Sequence, residues 1–360
     1  MDGAGIAFDE RGRMLVDRDG VSSATTATYY RGEHTNFYPS DRSLESRRFV
    51  REHIAQGLMP DEPLFDDKAS IVPFGSCFAY HIADYLFRLD YNVSTRRKSV
   101  SYLSYMGDGI VNTYALRQQF EWAWLDRRPA ADVWHGQDLK ALGFGEDVRL
   151  ATKNLFDEAD LFIITLGLSE VWYDGPTGEV FWRAVPIEYF DPSRHKFRLS
   201  TYDDNLANLE AIVDLIRAHR PSAHILFTLS PVPLTATFRP IPCAVADAES
   251  KAILRAAVGQ LMRSRADEKL HYFPSYEIVQ RFFNHAYRID RIHVHPYVVE
   301  FVMKVFERYY CMSGTTDEAL LEAFRAAREI DRRVGAEGHK AAPQYKPSDG
   351  RPHHKSPKVL

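Results

Sequence analysis

Ile71-Val-Pro-Phe-Gly-Ser-Cys-Phe-Ala79 decides how the rest of the chain is read. Residues 71–74 form an apolar run of strand length. It stops at Gly75-Ser76, and helical spacing begins at once. Phe78, Ile82, Tyr85, Leu86 and Leu89 recur every three or four residues, with His81, Asp84 and Arg88 on the other face. A serine at a strand-to-helix turn has its hydroxyl at the carboxyl edge of a sheet and its N–H at a helix N-terminus. A nucleophile can be exposed there and an oxyanion held. The same serine reads equally as an N-cap, its oxygen satisfying an orphan amide.

Outward from this turn the pattern alternates. Leu161-Phe-Ile-Ile-Thr-Leu166, His224-Ile-Leu-Phe-Thr-Leu229 and Leu270-His-Tyr-Phe273 are strand-like. Leu206, Leu209, Val213 and Ile216 make a helical stripe that stops near Pro221. Ala246 to about Arg265 and Pro296 to Tyr310 also read as helices, the second with proline in its first turn. Strands without a polar face, separated by helices, predict a parallel sheet covered on both sides. Ligands of such sheets bind beyond the carboxyl ends of the strands, where the turns after Gly75, Gly167 and Ser230 fall. Val171 to Trp182 breaks the alternation and reads as a β-hairpin around Asp174-Gly-Pro-Thr-Gly178, overhanging that edge.

The 360 residues are 45% hydrophobic, enough for a large core. A net charge of -4 gives no basic field for nucleic acid. Three cysteines, Cys77, Cys243 and Cys311, are too few for a disulfide framework and imply free thiols. The N-terminal residues show no basic-then-apolar leader pattern, and no run approaches the ~18 apolar residues of a membrane span. The expectation is a soluble cytoplasmic protein in four parts. Residues 1–65 form an extension wrapping the core, with a short helix near Leu44 to Gly57; residues 66–315 form the catalytic domain. A C-terminal helix spans 316–334, and a disordered tail spans 335–360.

A serine nucleophile needs a base, and the base an orienting partner. Asp290-Arg-Ile-His293 supplies both: the carboxylate can reach the imidazole Nδ1–H and leave Nε2 for Ser76. Cys77 is a second candidate for the attacking atom. Oxyanion donors can come from the Ser76 amide, Gly109, Asn112 and the Gly167-Leu-Ser-Glu170 turn with Ser169, although Asn112 also suits the cap of a helix starting near Tyr114. Trp172, Tyr173, Phe181 and Trp182 can stack on sugar rings or pack into the core. Arg96-Arg97-Lys98 reads as a solvated loop or an anion contact. His285, Asp290, His293 and His295 invite a metal, but no further cluster completes a ligand set, so neither metal nor cofactor is expected.

Together these residues resemble the GSCFA family, whose name motif is intact at Gly75-Ser-Cys-Phe-Ala79. Gly109-Ile-Val-Asn112, Thr165-Leu-Gly-Leu-Ser169, Ser230-Pro-Val232, Tyr272-Phe-Pro-Ser-Tyr-Glu277 and Asp290-Arg-Ile-His293 look like further family blocks, and the resemblance covers about residues 30 to 312. That family is similar to the SGNH hydrolases. The resemblance implies a three-layer α/β/α sandwich with a five-stranded parallel sheet. It also implies Ser76 as nucleophile, Asp290 and His293 as its partners, and Gly109 as an oxyanion glycine. The third block departs from the wider pattern Gly-x-Asn-Asp: Ser169 stands where asparagine would. The expected activity is hydrolysis of a carbohydrate or small acyl ester through an acyl-serine. The alternatives are O-acyl transfer to a glycan, a non-catalytic binding protein on the same fold, and a metal-dependent hydrolase.

Overall fold

The computed structural model describes residues 13–18, 21–28, 32–107, 109–136 and 141–343. In chain order it contains β1 (Arg13–Arg18), β2 (Val21–Thr28), α1 (Asp41–Leu44), β3 (Ile71–Gly75), α2 (Cys77–Arg88), α3 (Leu103–Met106), α4 (Thr113–Leu125) and α5 (Glu146–Asp157). It continues through β4 (Leu161–Leu166), β5 (Glu170–Asp174), β6 (His195–Leu199), α6 (Tyr202–His219), β7 (His224–Leu229), α7 (Cys243–Ser264), β8 (Leu270–Phe273), α8 (Ser275–Phe282), α9 (Pro296–Tyr310) and α10 (Asp317–Glu337).

The central sheet is parallel, in the order β3-β4-β7-β8. Because side chains alternate along a strand, each strand feeds two apolar clusters. Ile71, Leu161, Ile163, Leu226 and Phe273 join one with Phe78, Ile82 and Leu86 of α2 and Val298, Val302 and Phe306 of α9. Val72, Phe74, Phe162, Ile164, Ile225 and Phe227 join the other with Phe120 of α4, Ile212 of α6 and Leu254 of α7. Helices therefore cover both faces, and every residue of β3 and β4 is buried.

Among the described residues the sheet has four strands, not the five expected. Beside β3 there is only a one-residue parallel bridge, Ile71 with Val93. The cause is on the outer edge of β3. The Ile71 N–H donates to the Asn92 carbonyl and the Gly75 N–H to the Gly107 carbonyl, at 3.0 and 2.6 Å. Between them lies Pro73, which has no N–H to give, so a continuous ladder cannot run along that edge.

The hairpin is also paired differently. The chain does fold back at Gly175–Gly178, with Tyr173 bridging Val180. The strand that pairs with β5, however, is β6, antiparallel, from Glu170 opposite Leu199 to Asp174 opposite His195. Sequence alternation cannot reveal a partner that lies some twenty residues further along the chain.

The N-terminal segment reaches the core through Phe49, Val50 and Ile54; the Phe49 ring centroid lies 4.3 Å from that of Phe324 on α10. The helix expected near Leu44 to Gly57 divides into α1 and a π-helical turn, Arg51–Ala55. Helix α10 continues to Glu337, and the rest of the expected tail from 344 lies outside the described residues. No helix among the described residues is long and apolar enough to cross a membrane.

Candidate active site

Gly75 and Ser76 form the turn at the carboxyl end of β3. Gly75 has φ +131°, and a Cβ there would lie 2.2 Å from the Thr165 carbonyl oxygen, so only glycine fits. Ser76 follows in extended conformation as the N-cap of α2, its Oγ accepting from the Phe78 N–H at 3.3 Å. Its amide donates to Thr165 Oγ1 at 2.6 Å, and its Oγ lies 2.9 Å from the same Oγ1. Ser76 is only 4% exposed. The N-cap role is thus realised, and the hydroxyl meets threonine rather than histidine.

Asp290 and His293 pair as their spacing suggests. His293 Nδ1 lies 2.7 Å from Asp290 Oδ2, and Asp290 Oδ1 accepts the backbone N–H groups of Ile292 and His293. Burial would raise the Asp290 carboxyl, but hydrogen bonds from the His293 ring and from these amides outweigh it and hold the pKa below the usual value. The pair sits on a hairpin closed by the Tyr287–Val294 bridge, with Arg291 at φ +59° in its turn. The Tyr287 hydroxyl donates to the Pro231 carbonyl at 2.7 Å, tying the hairpin to the loop after β7. Buried Asp331 of α10 accepts the N–H groups of Asn284 and His285 at the hairpin's base. Serine and histidine therefore sit on loops at the same end of the sheet. No hydrogen bond joins them, and His293 Nε2 has no protein partner among the described residues.

The other candidates are committed elsewhere. The Gly109 N–H donates to the Met106 carbonyl, and the Arg183 guanidinium packs where a Cβ would be. Asn112 caps α4 by accepting from the Ala115 N–H, and its Nδ2 donates to the Phe181 and Trp182 carbonyls. The Ser169 hydroxyl donates to the Ser250 carbonyl at 3.0 Å. Trp182 is fully buried against Trp134 and belongs to the core, not to a platform. Trp172 packs with Phe190, Phe197 and Phe238, and its indole N–H is buried without an acceptor among the described residues. Tyr173 lies beneath the Arg198 guanidinium.

Cys77 is exposed at the first turn of α2. Arg97 of the basic run pairs with Glu158, and Arg96 packs on Tyr80. His295 lies 3.1 Å from His339 and His285 abuts Gly335, so the candidate ligands diverge. Among the described residues no three acidic, histidine or cysteine side chains gather as a metal site.

Two residues escaped sequence reasoning. Thr165, the fifth residue of β4, looks like any β-branched strand residue until Ser76 is docked against it. Lys251 is fully buried, its Nζ donating to the carbonyls of Gly167, Ser230 and Val232 at 2.7, 2.9 and 2.7 Å. A signal for Lys251 existed: it shares the buried stripe of α7 with Leu254, Val258 and Leu261, where a charge is out of place.

A family model for GSCFA matches residues 70–306, from the strand before Ser76 into the helix after His293. A search of curated proteins finds no match.

Proposed function

The chain belongs to the GSCFA family, and from that premise we propose that it is a serine-dependent acyl-ester hydrolase with an SGNH-like three-layer fold, acting on a carbohydrate or small ester. The observation that carries the proposal is the Asp290–His293 pair, which fixes the ring by Nδ1 and leaves Nε2 without a protein partner, on a loop at the sheet edge that also bears Ser76. Helices on both faces support the layering, with a one-residue bridge to Val93 beside β3 in place of a fifth strand.

In this mechanism Ser76 turns its hydroxyl from Thr165 Oγ1 to His293 Nε2. The imidazole takes the proton as Ser76 Oγ bonds to the ester carbonyl carbon. The imidazolium then protonates the departing alcohol, leaving an acyl-serine. Water repeats the sequence: His293 takes its proton, the acid leaves and Ser76 is restored. The Ser76 amide, which donates to both the Oγ1 and the carbonyl of Thr165, serves as oxyanion donor once the turn shifts off that threonine. Asp290 keeps the imidazole in the tautomer this requires. Three free cysteines suit a cytoplasmic location.

A fluorophosphonate probe followed by intact-mass measurement tests the nucleophile. Wild-type protein gains one adduct, on Ser76, and Ser76→Ala gains none while its ester turnover falls by several orders of magnitude. Equal turnover by Ser76→Ala would end the proposal.

The Trp172 cluster favours a second reading, transfer of the acyl group to a glycan hydroxyl in place of water. The rings of Phe190 and Phe238, exposed at the edge of this cluster, suit the face of a sugar. Mass gain on an added glycan would identify the transferase. The low exposure of Ser76 favours the third reading, a binding protein, which an unlabelled Ser76 would support.

A further inference from the structure

We propose that Lys251 is a positioning residue for the candidate active site. Its ammonium clamps the loops after β4 and β7 and, through Pro231 and Tyr287, holds the hairpin that carries His293. Its effect on rate rests on the serine chemistry proposed above; the clamp itself does not.

Carbonyls at the carboxyl ends of parallel strands run out of ladder partners where the chain turns away, and buried ones need a donor. An ammonium carries three N–H donors, and here three carbonyls from two loops converge on one Nζ. Two of them, Ser230 and Val232, flank Pro231. The Pro231 carbonyl receives the Tyr287 hydroxyl, and Tyr287 bridges Val294, the residue after His293. The clamp therefore reaches the imidazole in a few bonded steps.

The same geometry ties the clamp to pH. A neutral amine has two N–H groups, so deprotonation leaves one of the three carbonyls without a donor, but it also removes a buried charge, and the second effect is the larger. Burial pushes the Lys251 pKa down to about 8, with Asp247 of its own helix and Cys77 of α2 opposing the shift. Tyr276 and Tyr287 also face Asp247, and burial raises both above the usual range.

Hydrogen exchange on the full-length protein tests this without any step at Ser76. Rates are corrected for the intrinsic pH dependence of exchange. In the wild type, segments 230–234 and 285–295 should then exchange about fivefold slower at pH 9 than at pH 8, because opening returns Lys251 to its ordinary pKa and takes up a proton. Strands β4 and β7 should stay protected. Cys77→Ser should keep that fall. Lys251→Met should exchange faster than the wild type in both segments at pH 7, with no dependence on pH. Corrected wild-type rates that stay flat or rise to pH 9, a fall abolished by Cys77→Ser, or a folded Lys251→Met with wild-type protection would overturn the clamp. If Lys251→Met does not fold, the wild-type and Cys77→Ser titrations decide. An inert Ser76 sinks the proposed function and leaves the exchange result intact.

Discussion

Ser76 is 4% exposed and sits on a turn joined to a sheet ladder on one side and a helix cap on the other, whereas the Asp290 and His293 side chains are 41% and 34% exposed. The serine's neighbours are fixed by strand register: Gly75 lies opposite Thr165, and the Ser76 amide and hydroxyl both meet that threonine. The histidine's neighbours are fixed by a short hairpin, whose holds include one tyrosine hydroxyl, one buried aspartate at its base and a left-handed arginine. The serine arm is therefore rigid and occupied, and the histidine arm is open and adjustable. Any chemistry joining them needs the Ser76 hydroxyl to leave Thr165 Oγ1. Lids and binding loops are drawn from such lightly bonded segments.

That contrast breaks most visibly at the carboxylate. Asp290→Asn keeps the hairpin's size but donates where it should accept, so the imidazole is held in the wrong tautomer. We expect ester turnover to fall about ten thousandfold, with thermal stability changed by less than about 1 kcal/mol, because the residue is half exposed. Steady-state kinetics and a melt on one preparation check this, and a large loss of stability would mean that the hairpin is a structural element.

The serine arm should answer in the opposite way. Gly75→Ala places a Cβ 2.2 Å from a strand carbonyl at φ +131°, so backbone strain and overpacking both count. A loss of about 4 kcal/mol in folding stability is expected, measured by urea unfolding. A wild-type midpoint would show that the turn is looser than its ladder implies.

A comparison with the sheet's other edge sharpens the picture. At the amino ends of β7 and β8, His224 Nδ1 lies 2.9 Å from His271 Nε2. Burial first, and His224 second, push the His271 pKa down to about 4; Asp267 opposes and Arg217 adds to the shift. Between pH 6.5 and 4 the unfolded chain then binds more protons than the folded one, so stability rises with pH and is lost on acidification. The contribution is about 3 kcal/mol across that window. His271→Leu should flatten the slope of melting temperature against pH there. A slope unchanged in the variant would assign the acid sensitivity elsewhere, with His295, also lowered to about 4, the next to test.

Much of the frame was legible in the chain. Strands 161–166, 224–229 and 270–273 and the helix 296–310 match their apolar patterns residue for residue, since burial on both faces leaves an unbroken run and helical burial leaves a stripe. Asn112 takes the cap role that its position offered as the alternative to an oxyanion donor, because capping is local, and the Asp290–His293 contact was legible because it spans three residues. Three things were not legible. Pairing of β5 with β6 depends on a strand across a long excursion. Burial of Trp182 depends on Trp134, and the lack of a fifth strand among the described residues depends on which edge of β3 the ring nitrogen of Pro73 faces.

The sequence by itself determined the local objects: the strands, the helices, the glycine turn that holds Ser76 and the carboxylate–imidazole pair. Each of these is settled by residues within a few positions of one another, where sterics and hydrogen-bond reach are short-ranged. Tertiary structure alone decided that Thr165 would occupy the Ser76 hydroxyl and that Lys251 would be sealed against three carbonyls. Those contacts arise because neighbouring strands end at one sheet edge, and buried polar groups there must find partners among whatever the fold brings within reach.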